Sequence, residues 1–347
     1  MIDRTFKALR RTIAGWMRRS GQAPRGTLQK GSHSAFGRTF SLIQLTAGRR
    51  PFLLYLPEGY NTGQRLPLVV MMHGCKQDAE TFAAATRMNG LSDRDQFIVL
   101  YPEQRRLANP HRCWNWFTGS AQAGAGEAAI LCDMIRTLAR EYNCDSSRIY
   151  LAGLSAGAAM ANNLASCNAE LFAACALHSG LMFEAGSSTS EALDAMRHGS
   201  RRDPEAAGKH AFGFARGKVG EMPVMVIHGD KDEVVNPVNA DQTIAQFDTL
   251  NRLLAPDSNA EDMRVRSREE SRAGGYRYEI TDHVRDGRPL MRKVIVRGLG
   301  HAWSGGSADF PYNDPQGPDA SELICDFFAE HGLREALPAA EPASQPG

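Results

Sequence analysis

A pentapeptide at residues 153–157, Gly-Leu-Ser-Ala-Gly, constrains the fold of this chain more than any other stretch. A β-prone run at residues 148–152 precedes it, and an Ala-rich, helix-prone run follows it. The order strand, sharp turn, helix holds the central Ser155 in a strained backbone conformation and lifts its side chain clear of the sheet. Glycines are needed on both sides, because a Cβ at Gly153 or Gly157 would collide with the neighbouring strand or helix.

This layout predicts an activated serine nucleophile at Ser155. The helix that follows directs its first N–H groups and its positive dipole end towards negative charge developing on that serine. The alternative is that Gly-x-Ser-x-Gly arises by chance in an Ala/Gly-rich segment. The strand before the motif and the helix after it favour the functional interpretation.

Composition restricts the class of protein. The 347 residues are 42% hydrophobic and 23% charged, which is typical of a soluble chain with one large α/β domain or two small ones. A net charge of +1 provides no bulk field for nucleic acid, and the absence of an 18-residue apolar run predicts no membrane span. The seven cysteines have no Cys-x-x-Cys spacing, which argues against a zinc ribbon or a redox pair. We expect neither a metal nor an organic cofactor.

The N-terminal region has its own charge pattern. Residues 1–30 carry eight Lys and Arg against one Asp, which is 8 − 1 = +7, and the remainder is therefore +1 − 7 = −6. Apolar side chains recur there at helical spacing, at Phe6, Leu9, Ile13 and Trp16. The pattern predicts a basic amphipathic helix whose residues 1–19 contact a granule or membrane surface, or alternatively a helix that packs on its own domain. Arginines interrupt every candidate apolar segment, so no signal peptide is readable.

Strand and helix signals alternate along the rest of the chain. Strands are predicted at Phe40–Leu45, Phe52–Leu56, Leu66–Met72, Phe97–Tyr101, Ala173–His178, Met222–His228, Tyr276–His283 and Met291–Val296. Helices are predicted at Ala79–Met88, Glu127–Tyr142, Val238–Leu253 and Asp319–Glu330. This alternation indicates an α/β fold with a mostly parallel central sheet and helices on both faces.

The predicted domain boundaries follow from the same signals. Residues 1–36 are expected to form the basic arm and a Gly/Ser/Gln-rich linker, and residues 37–334 the catalytic domain. Residues 182–220 have weak periodicity and are expected to form an insertion or small cap over the site. The Pro/Ala-rich residues 335–347 are expected to be a disordered tail.

A serine hydroxyl needs a base to take its proton and a third group to orient that base. His301 follows the predicted strand at residues 291–296, and Asp230 and Asp232 follow the strand at residues 222–228. The order Ser, Asp, His is that of an α/β-hydrolase sheet, whose sites lie at the carboxyl ends of the strands. Asp232 is the preferred orienting group, because Asp230 stands close enough to the strand to cap its turn.

Backbone and aromatic groups complete the predicted site. The N–H groups of Ala156 and Cys75 are expected to bind the oxyanion that forms during acyl transfer. Trp114, Trp116 and Trp303 are predicted to offer flat apolar surface to a substrate, although core filling is the alternative for the first two.

Several short motifs carry a resemblance to a known family. They are His73-Gly74-Cys75 with Gln77, Cys113–Phe117, Gly153–Gly157, His228-Gly229 with Asp232, Val235–Pro237, Gly300–Gly306 and Gly317–Ser321. In this combination the chain resembles the polyhydroxybutyrate depolymerase-type esterases, relatives of feruloyl and acetylxylan esterases within the α/β-hydrolases, over about residues 38–332. The resemblance implies a triad of Ser155, Asp232 and His301. It also implies a disulfide between Cys75 and Cys113, as in secreted members.

The chain departs from secreted polymer degraders in two ways: it shows neither a signal peptide nor a Thr-rich or fibronectin-like linker with a substrate-binding domain. Soluble oligomers, amorphous granule polymer or small esters are therefore the expected substrates, rather than crystalline polymer. The resemblance implies export to the extracellular region, whereas the N-terminus leaves a cytoplasmic, granule-associated location open.

The sequence therefore predicts a serine carboxylic-ester hydrolase that acts through an acyl-enzyme on poly(3-hydroxybutyrate)-type oligomers, polyester or short-chain esters. Alternatives within the same chemistry are a feruloyl or acetylxylan esterase and an acyltransferase whose pocket excludes water. The alternative from another class is a non-catalytic protein that docks on granules or membranes through residues 1–19.

Overall fold

The structure, a computed structural model, describes residues 24–34, 48–215, 220–256 and 263–333. Strands and helices alternate through the central part of the chain, and runs of consecutive strands lie before and after it. The strands are β1 Thr27–Ser34, β2 Arg49–Leu56, β3 Leu68–Met72, β4 Ile98–Pro102, β5 Ile149–Leu154, β6 Ala174–His178, β7 Val224–Gly229, β8 Arg264–Ser271, β9 Arg277–Arg285, β10 Arg288–Val296, β11 Trp303–Ser304 and β12 Asn313–Asp314. The helices are α1 Ala79–Thr86, α2 Met88–Asp95, α3 Gly119–Gln122, α4 Gly126–Glu141, α5 Ala156–Cys167, α6 Thr189–His198, α7 Pro204–Phe214, α8 Val238–Leu254 and α9 Ala320–Ala329.

Ten strands form the main sheet, in the order β1-β2-β4-β3-β5-β6-β7-β10-β9-β8. The six central strands from β4 to β10 run parallel, and antiparallel pairs extend the sheet at both edges. The central strands are short apolar runs, as expected of strands that are covered on both faces. The predicted fold class, a mostly parallel α/β-hydrolase sheet, is confirmed.

The two faces of the sheet bury separate cores. Along β3, Leu68, Val70 and Met72 point to the core formed with α4, α5 and α8, whereas Val69 and Met71 point to the core formed with α1 and α9. This alternation follows from the two-residue period of a strand. The sheet therefore lies between two layers of helices, one on each face.

The prediction of a linker within residues 1–36 is wrong where the structure describes β1. Thr27–Ser34 pairs antiparallel with β2, from Thr27 opposite Leu56 to Ser34 opposite Arg49. The segment is polar and largely exposed, so it shows no apolar alternation. Its pairing is supplied by β2, a contact that local sequence does not record.

A second edge strand was missed for the same reason. β8 is charged and almost wholly exposed, and among the described strands it pairs with β9 alone. Arg268 on β8 forms a 2.7 Å ion pair with Asp282 on β9. Charged edge strands of this kind protect a sheet from pairing with other chains.

Residues 182–220 contain two helices that the weak periodicity did not predict. Ser188 and Asp203 cap α6 and α7 through their side chains. A Cβ at Gly208 of α7 would lie 2.5 Å from the Gln246 carbonyl oxygen of α8, so these two helices pack in close contact. The segment therefore joins the helix layer of the domain. Its role as a cap over the site stays a prediction.

Three predicted elements lie outside the described residues: the basic helix within residues 1–19, the strand at Phe40–Leu45 and the tail from residue 335. Among the helices that are described, none combines the length and the apolar character needed to cross a membrane.

Candidate active site

Ser155 stands at the turn between β5 and α5. Its backbone has φ 56° and ψ −122°, a conformation that L-residues rarely adopt, and its side chain is nearly buried. A Cβ at Gly157 would lie 2.2 Å from the Met72 carbonyl oxygen, and one at Gly153 would lie 2.6 Å from the Gly157 carbonyl carbon. The strained turn and the steric need for both glycines agree with the expectation from the pentapeptide.

Asp232 and His301 form the polar pair beside this turn. His301 Nδ1 lies 2.8 Å from Asp232 Oδ2, and Asp232 Oδ1 accepts hydrogen bonds from the N–H groups of Val234 and Val235 at 3.0 and 2.8 Å. Burial raises the pKa of the Asp232 carboxyl, but its hydrogen bond and electrostatic interaction with His301 outweigh this and hold the pKa below its ordinary value. Asp232 is therefore a carboxylate, suited to fix one His301 tautomer.

Asp230 has a different role. Its Oδ1 accepts the N–H of Gly298 at 2.7 Å, which ties the turn after β7 to the start of the loop after β10. The N–H of Lys231 reaches the Leu299 carbonyl oxygen at 3.0 Å in the same region. The structure thus pairs Asp232 with His301, as preferred from the sequence, and leaves Asp230 as a turn contact.

The strand order places the three predicted residues at the same end of the sheet. β6 separates β5, which carries Ser155, from β7, which leads to Asp232, and β10 follows β7 and leads to His301. All these strands are parallel, so their carboxyl ends lie at the same end of the sheet. Within the described residues the Ser155 hydroxyl makes no hydrogen bond.

The predicted oxyanion loop passes next to the serine. A Cβ at Gly74 would lie 3.6 Å from Ser155 Cβ and 3.5 Å from the Leu154 carbonyl oxygen. The Gly74 N–H donates to Gln77 Oε1 at 2.8 Å, which closes the loop on itself. No acceptor among the described residues takes the N–H of Cys75, and Ala156 opens α5, where N–H groups have no intrahelical acceptor. The binding of an oxyanion by these two N–H groups stays a prediction.

A buried histidine at the start of this loop, His73, supports it. His73 Nδ1 lies 2.7 Å from the Gly74 carbonyl oxygen, and Nε2 accepts the Gln104 N–H at 3.1 Å. Burial lowers the pKa of His73 to about 4. The ring is therefore neutral, with its proton on Nδ1, an assignment that follows from the hydrogen-bond partners.

The stretch after β4 is held by a buried ion pair. Glu127 on α4 accepts from Arg50 at 2.7 Å, from the Gln104 side-chain amide at 2.6 Å and from the Asn115 N–H at 2.7 Å. The same Gln104 amide donates to the Cys113 carbonyl oxygen at 3.0 Å. A paired and fully hydrogen-bonded charge can stay buried, and this one organises the otherwise irregular residues 104–115 beneath the oxyanion loop.

The structure joins Cys75 and Cys113 in a disulfide, with an S–S distance of 2.08 Å and a Cα–Cα distance of 4.2 Å. The implied pairing is confirmed. The bond ties the oxyanion loop to the segment that the Glu127 network holds, and the Lys76 N–H reinforces it by donating to the His111 carbonyl oxygen at 2.7 Å.

Replacing Cys113 with serine is expected to lower the free energy of unfolding by about 2–4 kcal/mol, because the 38-residue separation constrains the unfolded chain. Chemical denaturation measures this loss. Cys167→Ser, at a free thiol, is the matched control and should change the stability far less. Seven titratable thiols in the unreduced, denatured protein, instead of five, would contradict the disulfide.

The three predicted substrate-binding tryptophans are buried, and the expectation of open apolar surface is wrong for them. Trp114 and Trp303 are fully buried and Trp116 is 4% exposed. The Trp114 indole N–H donates to the His73 carbonyl oxygen at 3.0 Å, and that of Trp303 donates to Ser321 Oγ at 3.2 Å. Burial and these indole hydrogen bonds make Trp114 and Trp303 supports of the site loops, and Trp116 is buried in the same core as Trp114.

Three of the central strands have a buried histidine at their carboxyl ends: His73 follows β3, His178 ends β6 and His228 is the penultimate residue of β7. His228 Nε2 lies 2.8 Å from the Val235 carbonyl oxygen and 3.5 Å from Asp232 Oδ2, so it borders the carboxylate. The sequence signal for these residues is a single histidine that closes an apolar strand. The described residues contain no cluster of three His, Cys, Asp or Glu side chains arranged to hold a metal ion.

The buried histidines predict acid sensitivity. Burial lowers the pKa of His178 to about 3 and those of His73 and His331 to about 4. The unfolded chain binds these protons below pH about 6.5 and the folded chain does not, so the stabilisation is complete above that pH and is lost as the pH falls towards 4. We expect the free energy of unfolding to fall by up to about 1.4 kcal/mol per pH unit for each histidine.

Urea unfolding at several pH values between 8 and 4 measures this slope. The variant His331→Asn removes one such histidine and should flatten the curve by up to about 1.4 kcal/mol per pH unit. A wild-type stability that stays constant over this range would contradict the expectation.

Comparisons with known proteins identify the family of this chain. The family model described as "Esterase PHB depolymerase" matches residues 51–272, more than half of the chain. Poly(3-hydroxyalkanoate) depolymerase C of Paucimonas lemoignei is 31% identical over 238 residues, which are 68% of this chain and 54% of that protein. Feruloyl esterase B of Thermothelomyces thermophilus is 25% identical over 205 residues, 57% of this chain and 69% of that protein. The chain thus spans about half the length of the depolymerase that it matches.

Among solved structures, an acetyl xylan esterase from Aspergillus awamori superimposes with a TM-score of 0.65 at 21% identity. The match covers 88% of this chain and 99% of that one. At this identity the likeness establishes the fold and not the substrate.

Proposed function

Because the chain belongs to the esterase family of the polyhydroxybutyrate depolymerases, we propose that it hydrolyses carboxylic esters through an acyl-enzyme on Ser155. The observation that carries the proposal is the 2.8 Å hydrogen bond between His301 and Asp232, at the same end of the sheet as the strained Ser155 turn. An imidazole oriented by a carboxylate, together with a serine on a strand-to-helix turn, is the arrangement that acyl transfer requires.

In the acylation step, Ser155 Oγ attacks the ester carbonyl carbon and His301 Nε2 takes the hydroxyl proton. Asp232 keeps the other ring proton on Nδ1 and stabilises the imidazolium that forms. The negative oxygen of the tetrahedral intermediate accepts hydrogen bonds from the N–H groups of Cys75 and Ala156, aided by the N-terminus of α5. The C–O bond to the alcohol then breaks, and the alcohol leaves with the proton from His301.

In the deacylation step, His301 takes a proton from a water molecule, whose oxygen attacks the acyl carbon. The second tetrahedral intermediate uses the same two N–H donors. Its collapse releases the carboxylic acid and returns the proton to Ser155 Oγ. No external oxidant or second substrate is needed, since water supplies both the hydroxyl and the proton.

For the substrate we propose 3-hydroxyalkanoate oligomers or polyester, or short-chain esters. The support is the relative named as a poly(3-hydroxyalkanoate) depolymerase, which is 31% identical. The alternative is an aryl or acetyl ester of the kind that a feruloyl or acetylxylan esterase cleaves, supported by the feruloyl esterase relative, which is 25% identical. Contact with a polymer granule or membrane through residues 1–19 is part of the proposal, and those residues lie outside the described ones.

A substrate panel tests the proposal. It compares p-nitrophenyl acetate, butyrate and octanoate with 3-hydroxybutyrate oligomers and methyl ferulate, with kcat/KM as the readout. Preference for the hydroxybutyrate oligomers supports the polyester substrate, and preference for methyl ferulate moves the protein to the arylesterase alternative. Background rates on every ester would overturn ester hydrolysis and favour a non-catalytic binding protein.

A further inference from the structure

His178 contacts the backbone of the nucleophile. It is the last residue of β6, it is fully buried, and its carbonyl oxygen accepts the Ser155 N–H at 2.9 Å. Its neighbours in the sheet are Leu154 on one side and Ile227 on the other. The residue therefore lies between the strand that presents the serine and the strand that leads to Asp232.

The side chain of His178 contacts the loop that carries His301. Its Nε2 accepts the N–H of Ser304 at 3.1 Å, and its Nδ1 lies 3.2 Å from Ser179 Oγ. The ring also stacks on Trp303, with centroids 5.3 Å apart and an interplanar angle of 25°. Because Nε2 accepts a backbone N–H, the ring is neutral, with its proton on Nδ1 directed to the Ser179 hydroxyl.

The loop is thus attached on both sides of His301. Before the histidine, the turn after β7 holds it through the contacts to Gly298 and Leu299. After the histidine, His178 holds it at Ser304, and the Ser304 hydroxyl donates to the Pro318 carbonyl oxygen at 2.7 Å. Of the two contacts that follow His301 in the chain, the one from His178 connects the loop to β6, the strand next to that of Ser155.

We propose that His178 is a positioning residue, which sets the His301 loop relative to Ser155 by accepting the Ser304 N–H while its own carbonyl oxygen holds the Ser155 N–H. The inference rests on the proposed function, since it concerns the geometry of proton transfer between these two residues. One residue in this position connects the nucleophile, through its backbone carbonyl oxygen, with the loop of the base, through its ring, although these lie on loops separated by two strands.

The electrostatic setting favours this role. Burial, with the nearby His228 and His301 rings, lowers the pKa of His178 to about 3, against the opposing effect of Asp232. The ring stays neutral across the working range of an esterase, so Nε2 remains an acceptor. A protonated ring would lose this acceptor and would place a second positive charge beside the imidazolium that forms on His301.

Two amide variants of His178 test the proposal. His178→Gln places an amide oxygen near the position of Nε2, whereas His178→Asn carries the same group one methylene shorter, out of reach of the Ser304 N–H. We expect His178→Asn to lower kcat on a soluble p-nitrophenyl ester by about 10–100-fold with KM nearly unchanged, because loss of alignment affects the transition state more than ground-state binding. His178→Gln should stay within about threefold of wild type, a rescue that a merely structural role does not predict.

A second variant and a second readout keep the test decisive. His178→Phe retains an aromatic ring against Trp303 but has no acceptor, and it should lose kcat like His178→Asn. Amide hydrogen exchange at Ser304 should be slow in wild type and His178→Gln and faster in the other two variants. His331→Leu, at a buried histidine remote from the site, is the control and should change stability without changing kcat.

The outcomes separate the inference from the proposed function. A folded His178→Asn or His178→Phe with the kcat of wild type would overturn the inference, as would equal losses in His178→Asn and His178→Gln. Phosphonylation of Ser155 by a fluorophosphonate in wild type, together with ester turnover, shows that the proposed function holds in such a case. Wild type that neither turns over esters nor reacts with the fluorophosphonate means instead that the proposed function has failed.

Discussion

Replacing Ser155 with alanine is expected to lower kcat for ester hydrolysis by about 10⁴–10⁶-fold, because no acyl-enzyme can form without the hydroxyl. The remaining oxyanion donors and substrate binding leave a small residual rate above that in water. The fold should be retained, since alanine keeps the Cβ and the N–H that donates to the His178 carbonyl oxygen. Steady-state hydrolysis of p-nitrophenyl butyrate and thermal unfolding, measured on the same preparations, provide the two readouts.

Ser166→Ala is the matched control for this variant. Ser166 is also buried and lies in the helix that Ser155 begins, but it bonds to Asn162 and Gln246 on the side away from the strand end. We expect its removal to affect stability and to leave fluorophosphonate labelling intact, whereas Ser155→Ala abolishes labelling. Turnover by Ser155→Ala close to that of wild type would exclude the acyl-enzyme mechanism.

The variant Asp232→Asn is expected to lower kcat by about 10⁴-fold with little change in KM. An amide can donate its own N–H towards His301 Nδ1, which favours the tautomer with the proton on Nε2, where the base must be free. The amide also lacks the charge that stabilises the imidazolium. The pH dependence of kcat/KM with a soluble ester provides a second test. Because the His301 proton is then on Nε2, raising the pH should not restore the rate of the variant.

Asp230→Asn is the matched control two residues away. Its side chain bonds to the Gly298 N–H and lies 3.8 Å from Arg297, and an amide oxygen can keep the first of these contacts. We expect its kcat to stay within about threefold of wild type. If Asp230→Asn were the more damaging of the two substitutions, the pairing of Asp232 with His301 would not be the catalytic one.

Much of this protein can be predicted from local sequence. The parallel sheet follows from short apolar strands that alternate with amphipathic helices, and the nucleophile turn follows from two glycines that flank a serine between a strand and a helix. The order of Ser155, Asp232 and His301 along the chain places each after a central strand. These features are visible because strand and helix periods, and the steric demands of one turn, act over a few residues.

The tertiary structure decided what depends on residues far apart in the chain. The hydrogen bonds of the folded chain show that Asp232, which the sequence only favoured, reaches His301, whereas Asp230 bonds to Gly298. The strand pairing likewise shows that β1 pairs along β2 although its own residues are polar. The burial of Trp114 and Trp303 was likewise decided by packing, because an aromatic residue beside a catalytic motif can equally line a pocket or support a loop.

The link through His178 also depends on the assembled fold. His178 lies 23 residues after Ser155 and 126 residues before Ser304. The three residues meet because the parallel strands that precede them end on the same side of the sheet. By itself, the sequence determined the elements and the candidate chemistry, whose physical basis is local. The partners of each polar group were decided only by folding, since a buried donor must find its acceptor among residues that the sheet brings together.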